Sequence, residues 1–260
     1  MTMTRCALVT GATQGIGLAV ATALAESNYN VVLHGIETQA IGVKLAQDLA
    51  NAHGVRTAYV HADLTDLGAT QNIVTAAENA LAPIDILINN AGILHVSPVE
   101  HFSLERWQET LVINLTAAFL TIRSIIVGMR RRGYGRIINI ASTVGLVGSP
   151  NIAAYVAAKH GLVGLSKCVA LETATDGITV NCICPGSTDT SILRPLIDIR
   201  AAKLSGDRDA AIRELLLEKQ PTGKLLSPAQ IGALAVFLCT DAASGITGAA
   251  IPIDGGWTAR

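Results

Sequence analysis

A tyrosine and a lysine four residues apart, Tyr155 and Lys159, are the pair in this sequence best suited to acid–base chemistry. In a helix, residues at positions i and i+4 lie on one face, one turn apart. A lysine ammonium beside a phenol favours the phenolate and lowers its pKa, so the tyrosine can exchange a proton with an alcohol or a carbonyl. The pair alone also fits an ordinary helix surface, so its meaning depends on the elements around it.

Short apolar runs alternate with longer helical ones along the 260 residues. Runs that are apolar throughout predict strands of a parallel sheet covered on both faces, and the alternation predicts a doubly wound α/β domain. We expect one domain over 1–260, with a less regular segment at 188–218 that is either a substrate lid or a plain helical excursion. The predicted strands are 5–10, 30–34, 56–61, 84–89, 136–141, 178–184 and 249–253, and the helices are 15–26, 37–52, 66–81, 103–132, 152–173 and 228–240.

A glycine-rich turn directly after the first strand predicts a dinucleotide site. Gly11, Gly15 and Gly17 allow the backbone to turn sharply, approach a pyrophosphate and open a helix whose N-terminus faces the phosphates. A glycine-rich turn without a ligand is the alternative. NADP sites usually place Arg or Lys in this region, but none occurs from 11 to 39, so the sequence favours NAD over NADP. Glu37 lies close to the position of the usual ribose-binding aspartate.

Taken together, the motifs resemble those of the short-chain dehydrogenase/reductase family over essentially the whole length of the chain. They are Thr10–Gly17, Asn89–Gly92, Ser142, Tyr155, Lys159 and Pro185–Gly186, in this order. The resemblance implies a single Rossmann-type domain with seven parallel strands, commonly assembled as a homotetramer. It also implies hydride transfer between a nicotinamide cofactor and a secondary alcohol or ketone.

The resemblance assigns four catalytic residues. Tyr155 is the acid/base, and Lys159 lowers its pKa and binds the nicotinamide ribose. Ser142 holds the substrate oxygen, while Asn114 bends its helix and anchors a water that leads protons to Lys159. The implied cofactor contacts are Gly11, Thr13, Gln14, Gly15, Ile16, Gly17, Asp63, Leu64, Asn90, Ala91, Gly92, Tyr155, Lys159, Pro185, Gly186, Thr188 and Thr190.

The expected substrate pocket is apolar. Segments such as Arg136–Ser142 and Ala154–Gly161 resemble bacterial D-3-hydroxybutyrate dehydrogenases, which hold a small carboxylate with polar and cationic side chains. Carboxylate burial without such partners is costly, so we expect a neutral or hydrophobic secondary alcohol or ketone, with 3-hydroxybutyrate as the alternative. His95 could supply one polar contact, although a solvent-facing histidine is the simpler interpretation. The pocket positions are Leu94, Ser142, Val144, Ile152, Tyr155, Ser187 and Leu196.

Several other classes of protein are disfavoured. A net charge of −1 does not indicate a nucleic-acid-binding surface. No apolar run is expected to span a membrane, and the histidines lack the spacing of metal ligands. The N-terminus enters a strand directly, and five cysteines in apolar patterns suit free thiols, so a cytoplasmic enzyme is expected. A non-catalytic NAD-binding scaffold is the alternative of another class, but it has no chemical reason to keep Asn114, Ser142, Tyr155 and Lys159 together.

Overall fold

The computed structural model describes residues 4–191, 193–217 and 219–259, and these contain one seven-stranded sheet. All its strands are parallel, in the order β3-β2-β1-β4-β5-β6-β7, so the chain reverses its direction of winding between β1 and β4. The strands are β1 (Cys6–Val9), β2 (Asn30–Gly35), β3 (Thr57–His61), β4 (Ile86–Asn89), β5 (Gly135–Ile140), β6 (Ile178–Pro185) and β7 (Ala250–Ile253).

Helices cover both faces of this sheet. They are α1 (Gly15–Glu26), α2 (Gln39–His53), α3 (Leu67–Ala80), α4 (Leu104–Leu111), α5 (Ala117–Arg132), α6 (Ala153–Glu172), α7 (Arg194–Lys203), α8 (Arg208–Leu216) and α9 (Pro228–Cys239). Ile86 and Ile88 of β4 pack with α1, α2 and α9, whereas Leu87 packs with α3, α5 and α6. Both sides of a strand are therefore apolar because both are buried. The predicted fold class is confirmed.

The segment predicted to be less regular at 188–218 contains two helices, α7 and α8, with turns before and between them. Helices α7 and α8 share a small apolar core of their own, which includes Ile197, Ala201 and Ala211. Its base is narrow, because Thr188 pairs with Leu226 and the Asp189 N–H donates to the Leu226 carbonyl at 2.9 Å. Whether this segment acts as a substrate lid or is a plain helical excursion stays a prediction.

The long helix predicted over 103–132 is present but interrupted. A π-helical turn at Val112–Thr116 separates α4 from α5. By length and composition alone, Leu104–Arg132 could cross a membrane, so the expectation that no apolar run reaches that length is wrong on those criteria. Burial accounts for part of its apolar character, since Leu120, Ile122 and Met129 are 5% exposed or less.

Candidate active site

The predicted acid–base pair lies at the start of α6. Tyr155 is in the first turn of this helix and Lys159 follows one turn later, as the spacing predicted. Ser142 follows β5 by two residues; its hydroxyl accepts a hydrogen bond from the Val144 N–H at 3.3 Å and lies close enough to the Tyr155 phenol to lower its pKa. The end of β5 therefore places a hydroxyl beside the tyrosine.

The pKa of Tyr155 differs from the sequence-based expectation. Burial raises it to about 12, and the hydrogen bond with Ser142 opposes this rise only in part. The Lys159 ammonium lies 5.4 Å from the centre of the tyrosine ring. The expected lowering by lysine is not found in the protein alone, because desolvation of the phenolate outweighs the distant charge.

The Lys159 side chain is buried and points beneath the tyrosine. It is 3% exposed, and its Nζ donates to the Ile140 carbonyl at 2.8 Å. Burial lowers its pKa to about 8, so the ammonium form still predominates at neutral pH. A cation held by one carbonyl retains two further N–H donors for other acceptors near the site.

Asn114 occupies the π turn and faces the same space. Its Nδ2 donates to the Ile93 carbonyl at 3.0 Å and to the Thr110 carbonyl at 2.9 Å. Its Oδ1 is buried and has no hydrogen-bond partner among the described residues. A cavity of about 10 Å³, lined by Asn114 and Lys159 among others, is close to the volume of one water. This geometry suits the predicted water, whose role stays a prediction.

The glycine-rich loop presents unused donors. Gly11 and Gly15 have φ of +61° and +56°, which glycine adopts without strain. The N–H groups of Gly15, Ile16 and Gly17 donate to no protein group within the described chain, and the first turn of α1 carries no acidic residue. A free helix N-terminus attracts a phosphate, so the loop fits a dinucleotide pyrophosphate. Thr13 and Gln14 belong to the same loop, and Gln14 is exposed.

The turn after β4 supports this loop from the side. The Asn90 Nδ2 donates to the carbonyls of Thr10 and Gly11 at 2.9 and 3.0 Å. Its side chain therefore holds the glycine-rich loop, and Ala91 and Gly92 are left to line the cleft. A Cβ added at Gly92 would lie 2.6 Å from the Asn114 Oδ1 and 3.7 Å from the Lys159 Nζ, so a side chain there would crowd both.

Glu37, two residues after β2, is the candidate for binding an adenosine ribose. The Glu37 Oε2 is buried and has no hydrogen-bond partner among the described residues. A Cβ added at Gly35 would lie 2.5 Å from that oxygen. The carboxylate therefore fills the space beside Gly35 at the end of β2, where a 2′-hydroxyl is normally bound. After β3, Asp63 is exposed while Leu64 is 5% exposed.

The loop after β6 is fixed by a residue that the sequence analysis did not single out. Gln220 is fully buried, and its Oε1 accepts from the Ser187 N–H at 2.9 Å. The Thr188 hydroxyl donates to the Gly186 carbonyl at 3.0 Å, and the Thr190 methyl lies near Gly15. The segment that begins at Pro185 thus comes close to the glycine-rich loop. No local signal marks its contact with Ser187, because the two residues are 33 positions apart in the chain.

Three of the predicted pocket residues, Leu94, Val144 and Ile152, are apolar and lie outside the numbered strands and α-helices. Val144 is 4% exposed, Leu94 is 38% exposed, and the backbone bond from the Ser97 N–H to the Asn151 carbonyl joins the loops that carry Leu94 and Ile152. The side chain of Leu196 lies outside the described part of the structure. The neighbouring His95 is partly exposed and contacts Glu109 at 3.1 Å, so it is held by α4.

Metal and disulfide chemistry find no support in the described residues. No group of three His, Cys, Asp or Glu side chains there could hold a metal ion. All five cysteines are free thiols, as expected, but Cys168 is exposed rather than buried. Cys168 lies on the solvent-exposed face of α6.

Comparisons with known proteins identify the family of this chain. The family model for short chain dehydrogenases matches residues 5–200. The D-beta-hydroxybutyrate dehydrogenase of Cupriavidus necator is 45% identical over 257 residues, which cover 98% of each chain. The enzyme of the same name from Rhizobium meliloti is 41% identical over 99% of this chain and 100% of its own. The structure of L-sorbose reductase from Gluconobacter frateurii, complexed with NADPH and L-sorbose, has 29% identity and a TM-score of 0.93, covering 99% and 97% of the two chains.

Proposed function

Because the chain belongs to the short-chain dehydrogenase family, we propose that it interconverts a neutral, apolar secondary alcohol and its ketone with NAD. The family assignment establishes an NAD(P)-dependent oxidoreductase that acts on alcohols and ketones. The substrate body and the choice of NAD are the parts that this proposal adds.

The residues around Tyr155 carry the proposal for the substrate. Three of the expected pocket positions carry the apolar side chains Leu94, Val144 and Ile152, none of which can pair with a carboxylate. The Lys159 ammonium, which lies close to Tyr155, already donates a hydrogen bond to the Ile140 carbonyl. A substrate carboxylate placed here would lose its hydration without gaining a counter-ion, whereas an alkyl group would be favoured by Val144 and Ile152.

Tyr155, Ser142, Lys159 and Asn114 have different roles in the proposed reaction. When bound, NAD(P) accepts or supplies the hydride. Tyr155 exchanges the hydroxyl proton of the substrate, and Ser142 holds the substrate oxygen through a hydrogen bond. Lys159 supplies positive charge beneath the phenol, and Asn114 offers a buried acceptor next to the small cavity.

3-Hydroxybutyrate is the second candidate substrate, since two D-beta-hydroxybutyrate dehydrogenases are 45% and 41% identical to this chain. A matched pair of substrates separates the two possibilities: D-3-hydroxybutyrate and its methyl ester differ mainly in the charge. The proposal predicts a higher kcat/KM for the ester and for simple secondary alcohols. A preference for the free acid of about tenfold or more, worth 1.4 kcal/mol, would refute the apolar pocket and favour the second candidate.

The chemical roles are tested by Tyr155→Phe. This variant should lose turnover with every substrate while it binds NADH with an unchanged Kd, because the phenyl ring keeps the packing and lacks the proton. Near-normal activity would show that another group is the acid/base. Tyr29→Phe serves as the control for the loss of a tyrosine hydroxyl elsewhere. Tyr29 directly precedes β2 and so lies at the amino-terminal edge of the sheet, opposite the carboxyl edge that carries the site.

Glu37 supports the choice of NAD. Its buried carboxylate oxygen beside Gly35 can accept a hydrogen bond from a 2′-hydroxyl but would repel a 2′-phosphate. Glu37→Gln should reduce the preference for NAD over NADP in kcat/KM by about tenfold, as expected for a charge-assisted contact. Glu105→Gln, on an exposed turn of α4, is the control. Equal use of NAD and NADP by the wild type would contradict the proposal.

We also propose that the enzyme is a cytoplasmic homotetramer. Free thiols suit a reducing compartment, and Leu104, Phe119 and Val127 of the α4–α5 unit are exposed apolar side chains suited to contacts between subunits. Light scattering of the purified protein gives the subunit number, and Phe119→Glu should lower it. A monomeric wild type would refute the tetramer.

A further inference from the structure

His34 joins two separate walls of the cofactor cleft through one side chain. It lies near the carboxyl end of β2 and is 1% exposed. Its Nδ1 accepts a hydrogen bond from the Gly11 N–H at 3.3 Å, and its Nε2 lies 3.1 Å from the Ala62 carbonyl. Since a main-chain N–H donates and a carbonyl accepts, these two partners assign the proton to Nε2.

Each partner belongs to a segment that would contact the cofactor. Gly11 opens the glycine-rich loop, and its carbonyl is held from the other side by Asn90. The next residue is also tied to His34, because the Ala12 N–H donates to the His34 carbonyl at 2.9 Å. Ala62 directly precedes Asp63 and Leu64, the predicted adenine wall.

We propose that His34 is a positioning residue for the adenosine half of the cofactor. Its neutral imidazole sets the separation between the glycine-rich loop and the Ala62–Leu64 segment. The inference rests on the proposed function, since it requires that the cleft binds NAD(P).

The surroundings of His34 keep it in the required form. Burial, with a smaller contribution from His61, lowers its pKa to about 4, against the opposing effects of the bond to Ala62 and of Glu37. The ring is therefore neutral at physiological pH. A protonated ring would turn Nδ1 into a donor facing the Gly11 N–H, and this contact would be lost.

Substitutions at position 34 can separate the two contacts. The amide oxygen of asparagine can take the place of Nδ1 as an acceptor. The amide NH₂ of glutamine can take the place of Nε2 as a donor. His34→Asn should keep the bond to Gly11 and lose Ala62, while His34→Gln should do the reverse. His34→Leu stays buried and loses both. The loss of one hydrogen bond corresponds to roughly a 2- to 10-fold change in an equilibrium.

The measurements are the Kd of NADH by fluorescence, the Kd of ADP-ribose by competition, kcat at saturating NAD, and Tm. ADP-ribose carries the adenosine half without the nicotinamide. We expect His34→Leu to weaken both ligands by about tenfold or more, with the asparagine and glutamine variants between it and the wild type. The kcat at saturating NAD should change by less than about twofold, because the catalytic residues are untouched.

Asn181→Leu is the matched control. Asn181 is also 1% exposed and bonds two main-chain groups, the Ile246 carbonyl at 2.7 Å and the Ala249 N–H at 3.1 Å, but it lies in β6 and contacts the segment that leads into β7. It should lower Tm and leave both Kd values unchanged.

The proposal is overturned if folded His34→Leu binds both ligands like the wild type, or if Asn181→Leu weakens them equally. Should the leucine variant not fold, unchanged Kd values in both the asparagine and glutamine variants overturn it. A wild type that binds neither NADH nor NADPH refutes the proposed function itself, an outcome visible before any variant is compared.

Discussion

Alanine at Gly17 should weaken both the fold and cofactor binding. A Cβ at this position would collide with the Gly11 carbonyl oxygen, lie 2.8 Å from the Gly11 carbonyl carbon, and displace the Asn90 amide from its bond to Gly11. Overpacking of this kind costs about 1–3 kcal/mol, and the lost hydrogen bond adds about 1 kcal/mol. The better helix propensity of alanine returns about 1 kcal/mol. The net destabilisation is therefore about 1–3 kcal/mol.

Gly164→Ala provides the matched comparison. Gly164 is also a helical glycine, in α6, but it is exposed and an added Cβ would meet no atom within 4 Å. This variant should be more stable than the wild type by about 1 kcal/mol, with unchanged NADH affinity.

Urea unfolding followed by circular dichroism measures the stability, and NADH fluorescence titration measures binding. We expect Gly17→Ala to raise the Kd of NADH by about tenfold, since the N–H groups of the loop shift with Gly11. The reasoning fails if Gly17→Ala matches Gly164→Ala in stability, or if its NADH affinity equals that of the wild type.

Three further predictions concern stability. Because burial lowers the pKa of His34 from 6.5 to about 4, the stability it contributes is complete above pH 6.5 and is lost as the pH falls towards 4. The unfolding free energy of the wild type relative to His34→Asn should fall by up to about 3 kcal/mol across that window, and a flat difference would contradict this. Ser166→Ala removes the acceptor of the Asn139 amide at 2.7 Å and should cost about 1–3 kcal/mol in urea unfolding, whereas Ser124→Ala, at an exposed serine, should cost little. Asp66→Ala removes the N-cap of α3 and should cost about 1 kcal/mol with kcat unchanged; an unchanged Tm would show that the cap contributes nothing.

Much of the fold followed from local patterns. The predicted helix at 15–26 matches α1, and most other predicted boundaries lie within one or two residues of the observed ones. Strands apolar on both faces identified a covered parallel sheet, because each face of such a strand packs on helices. The 188–218 segment was harder to interpret, since α7 and α8 bury only a small core and their apolar pattern is weak.

The site was predictable where its signal is a short motif. The glycine-rich turn and the tyrosine–lysine spacing depend on neighbours in sequence. The roles of His34, Gln220 and the Glu37 carboxylate depend instead on partners more than twenty positions away or on burial, so no sequence spacing could indicate them.

The sequence by itself determined the fold class, the candidate acid–base pair and a nicotinamide dinucleotide as the kind of cofactor, because helix period, strand hydrophobicity and glycine spacing are local properties. Only the tertiary structure decided the protonation of that pair. Folding removes Tyr155 and Lys159 from water, which raises the pKa of the phenol to about 12 and lowers that of the amine to about 8. Desolvation depends on what every other element places around a group, and a spacing of four residues carries no information about it.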